Sequence, residues 1–152
     1  MESEHVLHIT GDVRADMEDE ARARYPEECC GGLLGQEDPD GGRSVIYAIP
    51  GRNEQEDQRE RRYILGPEEV LRMVKEADDR GLQLLGFFHS HPDHPAEPSE
   101  TDRELAWPWY SYIIVSVKDG EPDRIRSWRL NPDRAAFTEE KIDAIEGPTE
   151  VQ

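Results

Sequence analysis

Lysine is almost missing from this chain. Three of its 18 basic residues are Lys, they face 35 Asp and Glu, and the formal net charge is −17. A surface that negative repels phosphate, which argues against nucleic acid as the principal partner and, equally, against an anionic membrane face. Long apolar runs are missing too: none approaches the roughly 18 residues of a membrane-spanning helix. The first residues lack the basic start and apolar stretch of a secretion signal, so the expected compartment is the cytoplasm. Cysteine is scarce, and Cys29 and Cys30 are neighbours, poorly placed to bridge each other, so no disulfide scaffold is implied. Hydrophobic residues make up only 35%, but they gather into runs such as 82–89 and 110–117, which excludes global disorder. The acid excess fits a protein adapted to high salt, where screening relieves self-repulsion; an ordinary acidic protein is the competing reading.

A chain of 152 residues suits one domain, here placed at 1–145, with 146–152 expected to be a disordered tail. Weak alternation suggests a strand at 5–9. An amphipathic helix over 13–24 should stop at Tyr25-Pro26, because proline cannot donate to the helix ladder. The Gly-rich apolar stretch 29–35 reads as a buried strand with close backbone neighbours, joined by a turn at 38–42 to a strand at 45–49. Residues 51–60 read as a polar loop and 62–65 as a strand. Pro67 opens a helix whose Val70, Leu71, Val74 and Ala77 share a face. A long strand at 82–91, a proline-rich loop at 92–98, a short helix at 99–106 and strands at 110–117 and 124–130 follow, while 139–145 stays undecided. The expected fold class is α/β (α+β): a single curved mixed β-sheet flanked by helices.

The chemistry gathers at one strand end. Residues two apart on a strand face the same side, so His89 and His91 point together. Two imidazoles and one carboxylate are the ligand set of a catalytic zinc with its fourth position open, and the proline-rich loop can return Asp102 to them. Ser99 and Asp102 also read as a helix cap, which is compatible with a metal role. His94 reads as a loop residue. Cys29 and Cys30 have no assigned base and read as small buried hydrophobes. Trp107 and Trp109 are expected at the edge of the core, or as a wall for a substrate tail.

His89-Ser90-His91, then seven residues, Ser99, two residues and Asp102 resembles the JAMM (MPN-plus) metalloprotease motif. Pro26-Glu27-Glu28-Cys29-Cys30-Gly31-Gly32-Leu33-Leu34-Gly35 is similar to the family's upstream glutamate strand. The resemblance runs from about residue 13 to 130. It implies a cytidine-deaminase-like MPN/JAMM fold and a Zn²⁺ held by His89, His91 and Asp102. It also implies Glu28 as the general base acting on a water molecule and the Ser99 hydroxyl as a support for the oxyanion. Glu27 competes with Glu28, and strand alternation lets only one of them face the metal. The small prokaryotic members imply, as substrate, a ubiquitin-like sulfur-carrier protein cut after its C-terminal Gly-Gly. A second copy of the chain is a further candidate partner. The alternatives are a non-catalytic MPN-like binding module and a RadC-like DNA-repair-associated protein, the latter disfavoured by the charge.

Overall fold

The computed structural model of the chain describes residues 6–53 and 65–145. All but Leu65 of the expected strand at 62–65, most of the loop at 51–60 and the tail at 146–152 fall outside these residues. The elements run β1 (Val6–Thr10), α1 (Gly11–Arg24), β2 (Cys30–Glu37), β3 (Arg43–Pro50), α2 (Pro67–Asp79), β4 (Gln83–Pro92), α3 (Glu100–Leu105), β5 (Ser111–Lys118), β6 (Glu121–Leu130) and β7 (Phe137–Ile145).

The strands form one mixed sheet in the order β1-β3-β2-β4-β5-β6-β7, and β1 also pairs with β7, so the curved sheet closes on itself. The pairs β1–β3, β1–β7 and β4–β5 are parallel. The others are antiparallel, including the β2–β3 hairpin.

Strand alternation sends neighbouring residues to opposite faces, and each face has its own helix. Leu33, Phe88 and Ile113 pack with Val13, Met17 and Ala21 of α1. Leu34, Phe87 and Tyr112 pack with Met73 and Ala77 of α2. The Thr10 side chain caps α1 by accepting from the Val13 N–H at 3.1 Å. The helix ends before Pro26, with Tyr25 as its C-cap. His89 and His91 share parity with Phe87, so they belong to the α2 face.

Close strand approach depends on glycine at specific points. A Cβ on Gly86 would lie 1.9 Å from the Ser111 carbonyl oxygen across the β4–β5 pair, where backbone rather than a flexible side chain is in the way. Gly86→Ala is therefore expected to cost about 3 kcal/mol or more, read as a drop in the unfolding midpoint. A midpoint equal to wild type would show that the strands can separate without penalty.

β7 is the element the sequence left undecided. Its Glu140 is 3% exposed and accepts from Ser127 Oγ at 2.8 Å and Arg129 Nε at 2.7 Å. A strand that turns a carboxylate inward, onto an ion pair, carries no apolar alternation for a sequence reading to find. Arg43 is a second buried charge, 1% exposed. Its guanidinium donates to the Leu85 carbonyl at 3.2 Å and to Ser111 Oγ at 3.0 Å, and lies 4.0 Å from the Trp109 ring centre. Burial pulls its pKa down to about 10. Trp109 thus covers Arg43, while Trp107 stays largely exposed. No helix among the described residues is long and apolar enough to cross a membrane.

Candidate metal centre

The antiparallel register of β2 and β4 builds the site. Cys30 pairs with His89. One step outward, the Ser90 N–H donates to the Cys29 carbonyl at 3.1 Å, and the Cys29 N–H donates to Ser90 Oγ at 2.7 Å. Ser90 is fully buried and fixes the strand end. The next step sets Glu28 opposite His91, and directly opposed residues face the same side of a sheet. Glu28 is 5% exposed, and its Oε1 has no hydrogen-bond partner among the described residues. Glu27 is only half-buried.

His89, His91 and Asp102 converge. His89 Nε2 lies 3.2 Å from His91 Nε2 and 3.3 Å from Asp102 Oδ1, and His91 Nε2 lies 3.0 Å from Asp102 Oδ2. Ligand atoms about 2.0–2.1 Å from a tetrahedral ion stand roughly 3.3 Å apart, so these separations are close to the edges of such a tetrahedron. His91 Nδ1 lies 2.8 Å from the Pro95 carbonyl oxygen. A carbonyl only accepts, so Nδ1 carries the proton, and the lone pair of the neutral ring is left on Nε2, facing the cluster. The proline-rich loop thereby sets the tautomer as well as the chain path.

Ser99 caps α3 in a reciprocal arrangement. The Asp102 N–H donates to Ser99 Oγ at 3.0 Å, and the Ser99 N–H donates to Asp102 Oδ2 at 2.8 Å. The helix cap thus orients the same carboxylate that meets the imidazoles, so the structural and metal-binding readings of this segment coexist. Ser99 itself is exposed at the mouth of the site.

The electrostatics follow from burial and from this convergence. Burial lowers the His89 pKa, outweighing the attraction of Asp102. Burial acts in the same direction on His91, but the hydrogen bond and charge of Asp102 prevail and raise it. Burial alone would raise Asp102, yet the two imidazoles hold it well below the usual carboxylate range. Glu28 is pushed up to about 8, first by burial and then by the Asp102 charge, with His91 opposing. Two imidazole nitrogens, an ionised carboxylate and a nearby carboxyl with an orphaned oxygen suit a divalent cation that keeps one position open.

Other sequence candidates lie apart. His94 is exposed and lines a separate hollow with Asp119 and Arg124. Cys29 and Cys30 are free and buried, and burial raises both thiols, Cys29 to about 12, so neither is a thiolate near neutral pH. Two groups at the site escaped the sequence reading. Tyr25 donates to Asp93 Oδ2 at 2.7 Å, tying the segment before Glu28 to the loop after His91. Arg52 lines a cleft beside Glu28. Neither residue type carries a local pattern that would mark it.

Residues 10–131 match the family of prokaryotic homologs of the JAB domain. The desampylase of Haloferax volcanii is 37% identical over 115 residues, which cover 72% of this chain and 80% of that protein. The CysO-cysteine peptidase of Mycobacterium tuberculosis is 33% identical over 143 residues, 93% of each chain. The solution structure of a Desulfitobacterium hafniense protein superposes with a TM-score of 0.82 at 34% identity, covering 95% of this chain and 97% of that one.

Proposed function

The chain belongs to the family of prokaryotic homologs of the JAB domain, and on that premise we propose that it is a zinc metallopeptidase of ubiquitin-like protein conjugates. It cuts the amide bond after a C-terminal Gly-Gly. The observation that carries this reading is the convergence of His89, His91 and Asp102, whose nearest nitrogen and oxygen atoms lie 3.0–3.3 Å apart pair by pair, on buried or nearly buried side chains beside Glu28. His89 Nε2, His91 Nε2 and a carboxylate oxygen of Asp102 would hold the ion. When bound, zinc supplies Lewis acidity, which acidifies water and polarises a carbonyl.

The chain's own groups do the rest. Glu28 takes a proton from the attacking water on Oε1, which has no hydrogen-bond partner among the described residues, and delivers it to the departing amine. Ser99 Oγ accepts from the Asp102 N–H, which leaves its own hydroxyl proton to be donated toward the oxygen of the substrate carbonyl. The Pro95 carbonyl and the Ser99 N–H keep His91 and Asp102 oriented through turnover. The relatives named as a desampylase and a CysO-cysteine peptidase support a ubiquitin-like acyl side.

The test is incubation of the zinc-loaded protein with each ubiquitin-like carrier of the same genome, extended beyond Gly-Gly, with products read by mass spectrometry. Release of a carrier ending in Gly-Gly is expected, and intact carriers at every zinc concentration would overturn the reading. Ser99→Ala should lower kcat about 100-fold with zinc retained, while Ser99→Thr, which keeps the hydroxyl and the cap, should recover most of it. A wild-type rate in Ser99→Ala would remove the hydroxyl from the reaction.

A further inference from the structure

The loop that leaves β4 after His91 turns at Asp93, where one exposed carboxylate joins three segments of the chain. The Asp93 backbone is left-handed, with φ 59°, a conformation that Gly, Asn and Asp adopt more readily than other residues. Its N–H donates to the Val117 carbonyl at 2.6 Å. Its Oδ1 accepts the Asp119 N–H at 2.9 Å, in the turn between β5 and β6. Its Oδ2 accepts the Tyr25 hydroxyl at 2.7 Å. Tyr25 is the C-cap of α1, shortly before Glu28. The Tyr25 ring packs on the same turn, where a Cβ on Gly120 would lie 3.7 Å from its Cδ2. The far end of the loop is tied as well, since Trp128 Nε1–H donates to the Ala96 carbonyl at 3.1 Å. Pro95, whose carbonyl oxygen lies 2.8 Å from His91 Nδ1, sits between these two anchors. The turn at 93 needs only a residue that tolerates a left-handed backbone. The two bonds made by the carboxylate go beyond that need.

We propose that Asp93 is a positioning residue: its carboxylate holds the Pro95 carbonyl against His91 and, through Tyr25, holds the Glu28 segment at a set distance from the ligand loop. This rests on the hydrolytic reading above and adds a supporting residue to that site. The β2–β4 pairing that aligns the two segments runs out at Cys30 and His89, followed by the bonds between Cys29 and Ser90. The Tyr25–Asp93 bond ties the same two segments again, beyond that last rung. Both ties matter to the chemistry for physical reasons. A proton acceptor must stay within hydrogen-bond reach of its water, and a displacement of about 1 Å can cost on the order of 100-fold in rate. A carbonyl that fixes the ring of a ligating histidine is worth roughly 10–100-fold in metal affinity or activity.

The experiment separates the carboxylate from the turn. Asp93→Gly keeps the left-handed backbone and removes both side-chain bonds. Its zinc affinity, measured by competition with a chelator, should fall about tenfold or more. At saturating zinc its kcat on a carrier extended beyond Gly-Gly should fall about tenfold, with KM unchanged. Asp93→Asn should recover most of both losses, because its carbonyl oxygen can accept the Asp119 N–H while its amide donates to the Tyr25 oxygen. Tyr25→Phe removes only the tie to the Glu28 segment. It should lose about tenfold in kcat at wild-type zinc affinity, and it should add no further loss in the Asp93→Gly background. If wild type cleaves no carrier, the hydrolytic reading fails, and the zinc affinities alone then decide the role of Asp93. Wild-type zinc affinity in Asp93→Gly would overturn the proposal, even with a lowered unfolding midpoint, since a merely structural tie would behave that way. Fully additive losses in the double variant would overturn the shared path through Tyr25.

Discussion

Glu28→Gln is expected to abolish turnover while leaving the metal in place, with kcat down by about 10²–10⁴. Gln has the same shape and still fills the buried position, but it can neither take a proton from water nor carry one to the amine. Metal content by mass spectrometry should stay at wild-type stoichiometry, because the three converging donors are untouched. Glu27→Gln, at a half-buried neighbour, should behave as wild type. The reverse result would move the base by one residue. The same substitution has a pH signature in the metal-free protein. The Glu28 pKa rises from the ordinary 4.5 to about 8, so the folded state favours the protonated form. The unfolded chain releases this proton as pH passes its lower value, while the folded protein holds it until about 8. Stability contributed by this group is therefore full below about pH 4.5 and lost progressively up to about 8. His91, also raised, adds loss in the same direction, and His89, lowered, opposes it. The difference between wild type and Glu28→Gln isolates the carboxyl. Parallel stability curves for the two proteins from pH 4.5 to 8 would show that Glu28 ionises freely in the fold.

His89→Ala should produce the larger loss of metal. His89 is 1% exposed, and its Nε2 lies 3.2–3.3 Å from both other donors, so its removal opens one face of the cluster. Affinity should fall well beyond the roughly 10–100-fold that follows loss of a mere supporting hydrogen bond to a ligand. The dialysed protein should carry almost no zinc and show no turnover. Asp102→Ala would be a poorer probe, since Asp102 also completes the reciprocal cap with Ser99. His94→Ala, outside the cluster, is the control that should keep both metal and rate. Stoichiometric zinc in His89→Ala would mean that the ion sits elsewhere.

The centre was legible in the sequence because it is held by short spacings on regular elements. His89 and His91 share a strand face through alternation, and Ser99 and Asp102 sit three apart at a helix start, where the cap that a sequence reading expects is the device that aims the carboxylate. β4 was legible because it is apolar until it reaches His89. The choice between Glu27 and Glu28 could not come from alternation alone; the β2–β4 register, carried on through Ser90, sets Glu28 opposite His91. What stayed hidden depends on partners far along the chain. Arg43 is held by Leu85 and Ser111, and Glu140 by Ser127 and Arg129, so both look like surface charges until the sheet is folded.

Because β1 joins β7 as well as β3, neither terminal strand of the sheet is left as a long row of open amides and carbonyls. Open rows of that kind template fibrils and sheet-to-sheet adhesion between molecules. A wrapped sheet under a strongly anionic coat should stay dispersed when concentrated. Any lasting self-association must then be built from side-chain surfaces rather than from shared backbone ladders.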